Sequence, residues 1–169
     1  ATVLDAKVEK AVGRIVAGIR KGGDAALLEA TRLHDGFAAA GVADLRLAPL
    51  PEDSGWPNLP PQVREAVELA IGNVERFHRA QLAAGGEGFV VEEPGLTLAE
   101  TVLPLARAGL YVPGGRASYP STAIMTVVPA RVAGVASIAV ATPARTYLSQ
   151  PVLRYPLARL GVDEIWGVG

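Results

Sequence analysis

Apolar residues near the start of the chain recur at helical spacing. Val8, Val12, Ile15, Val16 and Ile19 share one face, with Lys7, Glu9, Lys10, Arg14 and Arg20 between them. Gly22-Gly23 ends this helix. Asp24 is a good N-cap for a second helix, Ala25 to about Leu33, which stops at His34-Asp35-Gly36. Residues 41–61 are rich in proline and aspartate and read as a connection over the surface. Pro61 suits the first turn of a third helix, whose face is marked by Val63, Val67, Ala70, Ile71, Val74 and Phe77. It runs to about Ala83, and Gly85-Gly86 closes it.

The period then changes. Phe89-Val90-Val91 leads into Glu93-Pro94-Gly95-Leu96, and proline followed by glycine matches the centre of a type II turn. The expectation is a β-hairpin over 89–92 and 96–104. Leu96, Leu98 and Val102 share one face; Thr97, Ala99 and Thr101 share the other. From Ala108 the pattern is strand, helix, strand: strand 108–112, helix 121–134 with Gly134 as its C-cap, then strand Ser137 to Thr142. A short helix around 152–160 and a last strand, Glu164 to Val168, complete a βαβαβ unit. Pro129 should kink or split the first of these helices, and Pro156 interrupts the second.

The fold class expected is therefore α/β. Residues 1–107 form a helix-rich N-terminal α+β region with a β-hairpin, part of a larger discontinuous domain. Residues 108–169 form the first half of an incomplete Rossmann-like parallel-sheet domain. The last residues, Ile165-Trp166-Gly167-Val168-Gly169, are a strand entering a glycine turn. A parallel sheet that stops there carries an open edge, so the sequence reads as truncated.

Composition narrows the function classes. Half of the 169 residues are hydrophobic but only 5% are aromatic, so the core is built from Ala, Val, Leu and Ile. A formal charge of −1 argues against a general nucleic-acid or membrane-surface binder. There is no cysteine, which excludes disulfides and thiolate metal sites. No apolar run reaches membrane-span length, and the N-terminus lacks the basic and apolar blocks of a signal peptide. A cytoplasmic location is the expectation.

The candidate chemistry gathers where strand 108–112 meets Pro113-Gly114-Gly115 and the helix that follows Pro120. Strand, glycine turn and helix N-terminus create a polar crevice at the carboxyl edge of a parallel sheet, where α/β folds bind ligands. Two readings of Tyr111 stand at this edge. Its ring lies against a base or ribose, or it seals the end of the sheet. The amides of Pro113-Gly114-Gly115 suit a phosphate or carboxylate, though a tight strand-to-helix turn explains the same residues. The segment is neither a Gly-x-Gly-x-x-Gly fingerprint nor a Walker loop. Arg116 reads as a phosphate partner or an ordinary loop arginine. Ser121 and Thr122 read as helix caps, since no base lies near them in sequence. His34 suits a helix C-terminus, and His78 lies on an amphipathic helix. Two histidines without cysteine make a poor zinc site. No cluster supplies a matched general acid and base.

Gly109-Leu110-Tyr111-Val112-Pro113-Gly114-Gly115, Pro120-Ser121-Thr122-Ala123-Ile124-Met125 and Val128-Pro129-Ala130-Arg131-Val132-Ala133-Gly134 together resemble the signature of the histidinol dehydrogenases. Ile19-Arg20, Gly23-Asp24-Ala25-Ala26-Leu27, Phe77-His78 and the ending Leu160-Gly161-Val162-Asp163-Glu164-Ile165 are similar to the family as well. The resemblance implies an NAD-dependent zinc enzyme of histidine biosynthesis, an intertwined homodimer that oxidises L-histidinol to L-histidine through an aldehyde. It carries the family's NAD-contacting tyrosine onto Tyr111, with Pro113, Gly114 and Gly115 beside it in the cofactor crevice. The family's zinc ligands and its Glu-His acid/base pair lie beyond Gly169. No catalytic residue and no zinc site are therefore expected in this chain, and inactivity in isolation is. The chain departs from the family at Leu103-Pro104-Leu105 and over residues 144–156. An alternative reading is a catalytically silent truncated homologue, serving as a binding or assembly module or having no function.

Overall fold

The computed structural model describes residues 6–50, 56, 58–85, 88–114 and 118–169. Helix α1 (Ala6–Ala30) is interrupted at Gly23, whose φ of 57° and ψ of −139° leave the helical region. Its two segments are those read from the sequence. A short π-helical turn, Thr31–Asp35, follows and stops at Gly36 in the left-handed conformation. That conformation is cheap for glycine, which has no Cβ to clash.

Strand β1 (Arg46–Leu47) lies inside the segment read as a surface connection. Two residues are too few to show a period, so pattern reading misses it. Helix α2 (Pro61–Gly85) starts on its proline as expected. Strands β2 (Phe89–Glu93) and β3 (Leu96–Glu100) pair antiparallel around Pro94-Gly95, with Gly95 at φ 80°. A φ near +80° is what the second central position of a type II turn requires.

Strands β4 (Arg107–Tyr111), β5 (Ser137–Thr142) and β6 (Glu164–Gly167) run parallel, and β1 pairs antiparallel on β6. The sheet order is β1-β6-β5-β4. The open edge expected at β6 is thus occupied: Arg46 and Leu47 pair with Trp166 and Ile165.

Helix α3 (Pro120–Val132) runs unbroken through Pro129. The expected split does not occur: Pro129 gives up its own i→i−4 hydrogen bond, to the carbonyl of Met125, but it stands in the last turn, so no separate helical segment follows it. Between β5 and β6 there are two helices, α4 (Ala144–Ser149) and α5 (Pro151–Arg159), where one was expected. Pro151 opens α5 at a position where its missing N–H costs nothing. Pro156 is fully buried inside α5, which continues past it.

One face of the sheet is covered and the other is not. Ile138, Val140 and Ile165 alternate onto the covered face and pack with Ala123, Val127, Leu153 and Leu157 from the helices. Helix α2 adds a further layer, placing Val67 and Ile71 against Ile124, Val128 and Tyr155. The opposite face carries Gly109, Ala139, Ala141 and Trp166, and no residue in that row is buried. Arg131 ties the open ends of the helices to the sheet. Its guanidinium donates to the carbonyls of Ala136 (3.2 Å), Leu160 (3.3 Å) and Gly161 and to Asp163 (3.2 Å). Among the described residues, no helix is long and apolar enough to cross a membrane.

Candidate functional site

All three parallel strands deliver their carboxyl ends to one side of the molecule, and a cavity of about 550 Å³ opens there. That volume is in the range of small-molecule sites. Tyr111 reaches it from the end of β4, and Pro143 from the residue after β5. Gly114 and Ser118 come from the loop between β4 and α3, and Arg145 and Thr146 from α4. His34 and Asp35, at the end of the π-helical turn, close the far wall.

Tyr111 is half exposed, with 52% of its surface accessible. Partial burial pushes its hydroxyl pKa up, and the negative charge of Asp35 pushes it the same way. The hydroxyl therefore stays protonated at neutral pH and available as a donor. Gly114 is fixed by close packing rather than by an unusual φ. A Cβ there would collide with Thr146 Oγ1 and stand 2.9 Å from Thr146 Cβ. The turn can pass this near α4 only without a side chain.

Ser118 Oγ is buried and has no hydrogen-bond partner among the described residues. An unpaired buried hydroxyl is costly, which sets Ser118 apart from the other residues lining the cavity. Asp35 Oδ2 accepts the N–H of Gly169 at 2.8 Å, tying the π-helical turn to the end of the sheet. Among the described residues, its second oxygen accepts no hydrogen bond.

The residues expected from the sequence meet in part. Tyr111 and Gly114 line the cavity, whereas Pro113 is half-buried beside it and does not. Gly115 and Arg116 lie outside the described residues. Ser121 and Thr122 are not caps: the N-cap is Tyr119, no side chain caps the helix, and Pro120 opens it. Proline sets the first turn conformationally, so no hydroxyl is needed there. His78 does not line the cavity, and its Nδ1 lies 3.0 Å from Gln81 Oε1. His34, read as a structural helix terminus, lines the cavity instead.

Asp35, Arg145, Thr146 and Ser118 were missed. Asp35 did leave a signal. A carboxylate in the last turn before a helix stop opposes the helix dipole, and such a residue needs another use. Arg145 sits in the stretch that departs most from the family pattern, where resemblance gives no guidance. Among the described residues, no group of three or more histidine, aspartate or glutamate side chains could hold a metal ion. Zinc has no fitting ligand set here. A nucleotide cofactor fits better: an aromatic ring, an orphan hydroxyl, an arginine and a carboxylate converge on one cavity.

The histidinol dehydrogenase family model matches residues 2–169. Histidinol dehydrogenase of Chromobacterium violaceum is 39% identical over 168 residues, 99% of this chain and 38% of the relative. That of Lactiplantibacillus plantarum is also 39% identical over 168 residues, with the same coverage. The crystal structure of histidinol dehydrogenase from Elizabethkingia anophelis matches with a TM-score of 0.79 at 23% identity, over 100% of this chain and 38% of that one. At that identity the likeness speaks for the fold. The chain spans 38% of the length of these relatives and matches their N-terminal part.

Proposed function

This chain belongs to the histidinol dehydrogenase family, and we propose that it forms the N-terminal, NAD-contacting part of an enzyme that oxidises L-histidinol to L-histidine. The observation that carries this reading is the position of Tyr111. The family-like Gly109–Gly114 segment folds so that this tyrosine ends a parallel strand and lines the cavity at the sheet's carboxyl edge. When bound, NAD supplies a hydride acceptor. The protein's share is to hold it. The Tyr111 ring offers an apolar surface and its protonated hydroxyl a donor. Gly114 lets the backbone come close, and Ser118 gains the partner it lacks. In this reading residues 108–169 are half of a nucleotide-binding domain.

The chain in isolation is proposed to be inactive, with zinc and acid/base chemistry supplied from outside it. Self-association into a homo-oligomer is part of the same reading. It is supported by the wholly exposed hairpin, which carries Phe89, Val91, Leu96 and Leu98 on one face. A cytoplasmic location goes with it.

Amide hydrogen exchange with and without NAD, beside an NADH-absorbance assay with histidinol and zinc, tests the proposal. NAD should slow exchange at residues 110–114 and 144–150, and no NADH should form. Unchanged exchange there, or turnover abolished by a chelator, would overturn it.

A further inference from the structure

The cavity holds an acid and a base that do not pair. Asp35 and Arg145 both line it, from the π-helical turn and from α4. They form no ion pair with each other, and Arg145 is in none of the ion pairs among the described residues. Yet they flank the same spot: a Cβ placed on Gly36, the neighbour of Asp35, would stand 3.1 Å from Arg145 Nη1. Unpaired with each other, they bring a carboxylate and a guanidinium to the wall of one cavity.

That arrangement selects its ligand. A bare anion drawn to Arg145 meets the charge of Asp35, and a bare cation meets Arg145. A molecule with an anionic group and neutral hydroxyl donors a few ångströms apart satisfies both. A ribose 5′-phosphate has this layout. Arginine is the side chain best shaped for a phosphate, through paired N–H donors, and a carboxylate is the usual acceptor for ribose hydroxyls. Tyr111 stands at the same cavity with a half-exposed ring for a base, and the orphan Ser118 hydroxyl adds one more polar contact.

We propose that Arg145 binds the phosphate, and Asp35 the ribose hydroxyls, of a 5′-ribonucleotide moiety in this cavity. The inference rests on the reading of the crevice as a nucleotide site and adds the residues that read the nucleotide and its orientation.

Calorimetric titrations of the full chain with NAD, AMP, adenosine and 2′,3′-dideoxy-AMP test it, with circular dichroism to confirm folding. Arg145→Ala should weaken AMP at least tenfold and leave adenosine unchanged, and Arg145→Lys should recover part of the loss. Asp35→Asn, which keeps an acceptor for Gly169, should abolish the preference for AMP over 2′,3′-dideoxy-AMP. Equal binding of AMP by Arg145→Ala and the unsubstituted chain overturns the assignment, as does an equal loss of adenosine. Binding of NAD without AMP overturns the inference and leaves the NAD reading standing. Binding of neither overturns both.

Discussion

The hairpin β2–β3 and the sheet strand β5 carry similar apolar residues to opposite fates. In β5, alternate residues are buried, and Ile138 and Val140 are fully enclosed. In the hairpin all ten residues are exposed, Phe89 and Leu98 included. Helix α1 resembles the hairpin: it has an apolar stripe, yet buries no residue, and Val8 and Val12 are each 51% exposed. Alternation or helical periodicity says which face wants burial. It does not say whether the covering surface lies within the same stretch of chain. The strands from β4 onward find their cover in α3, α4 and α5, whereas α1 and the hairpin find none among the described residues.

The comparison breaks most directly at the core. Ile138→Ala should cost about 2–5 kcal/mol, the usual loss for emptying a packed site. Leu98→Ala should change stability by less than about 0.5 kcal/mol, because it removes a side chain already in water. Urea unfolding of the two variants side by side measures the difference. Similar losses would mean that the hairpin is covered in solution, and sedimentation at several concentrations would then show whether a second copy covers it.

A smaller effect sharpens the contrast from the polar side. Asp163 accepts the Ile138 N–H at 2.8 Å, which is the main reason its pKa is lowered. Arg131 pulls in the same direction, and partial desolvation opposes both. A carboxyl whose folded pKa lies below its unfolded value, about 4, adds stability above that value. The contribution is lost as pH falls through the lower, folded value. Asp163→Asn should therefore flatten the acid limb of the stability profile while changing stability at neutral pH by less than about 1 kcal/mol, since the group is partly exposed. Melting curves of the variant and the unsubstituted protein across the acid range check this.

Much of this architecture was legible in the chain. Strong periods and glycine or proline punctuation marked α2, both hairpin strands, β5 and the break in α1 at Gly23. What was hidden had non-local causes. Strand β1 exists because β6 offers it an edge, and two residues cannot announce that. Helices α4 and α5 separate at Gln150-Pro151, in a stretch whose apolar positions belong to two short helices and match neither period well. At the site, Tyr111 and Gly114 were readable because a strand ending in a glycine turn has a known consequence in a parallel sheet. Asp35 was not, because its place beside Tyr111 depends on how the chain returns from β6: the hydrogen bond from Gly169 to Asp35 closes a separation of 134 residues.

In the proposed function, the crevice at the sheet's carboxyl edge holds NAD through Tyr111. Calorimetric titration of NAD into Tyr111→Ala and the unsubstituted protein, each with a melting curve, tests it most directly. Loss of a stacked ring and one hydrogen bond is worth about 1–3 kcal/mol. The dissociation constant should therefore rise about five- to hundredfold, with little change in melting temperature for a side chain half in solvent. An unchanged dissociation constant with a lowered melting temperature would make Tyr111 a packing residue and contradict the account.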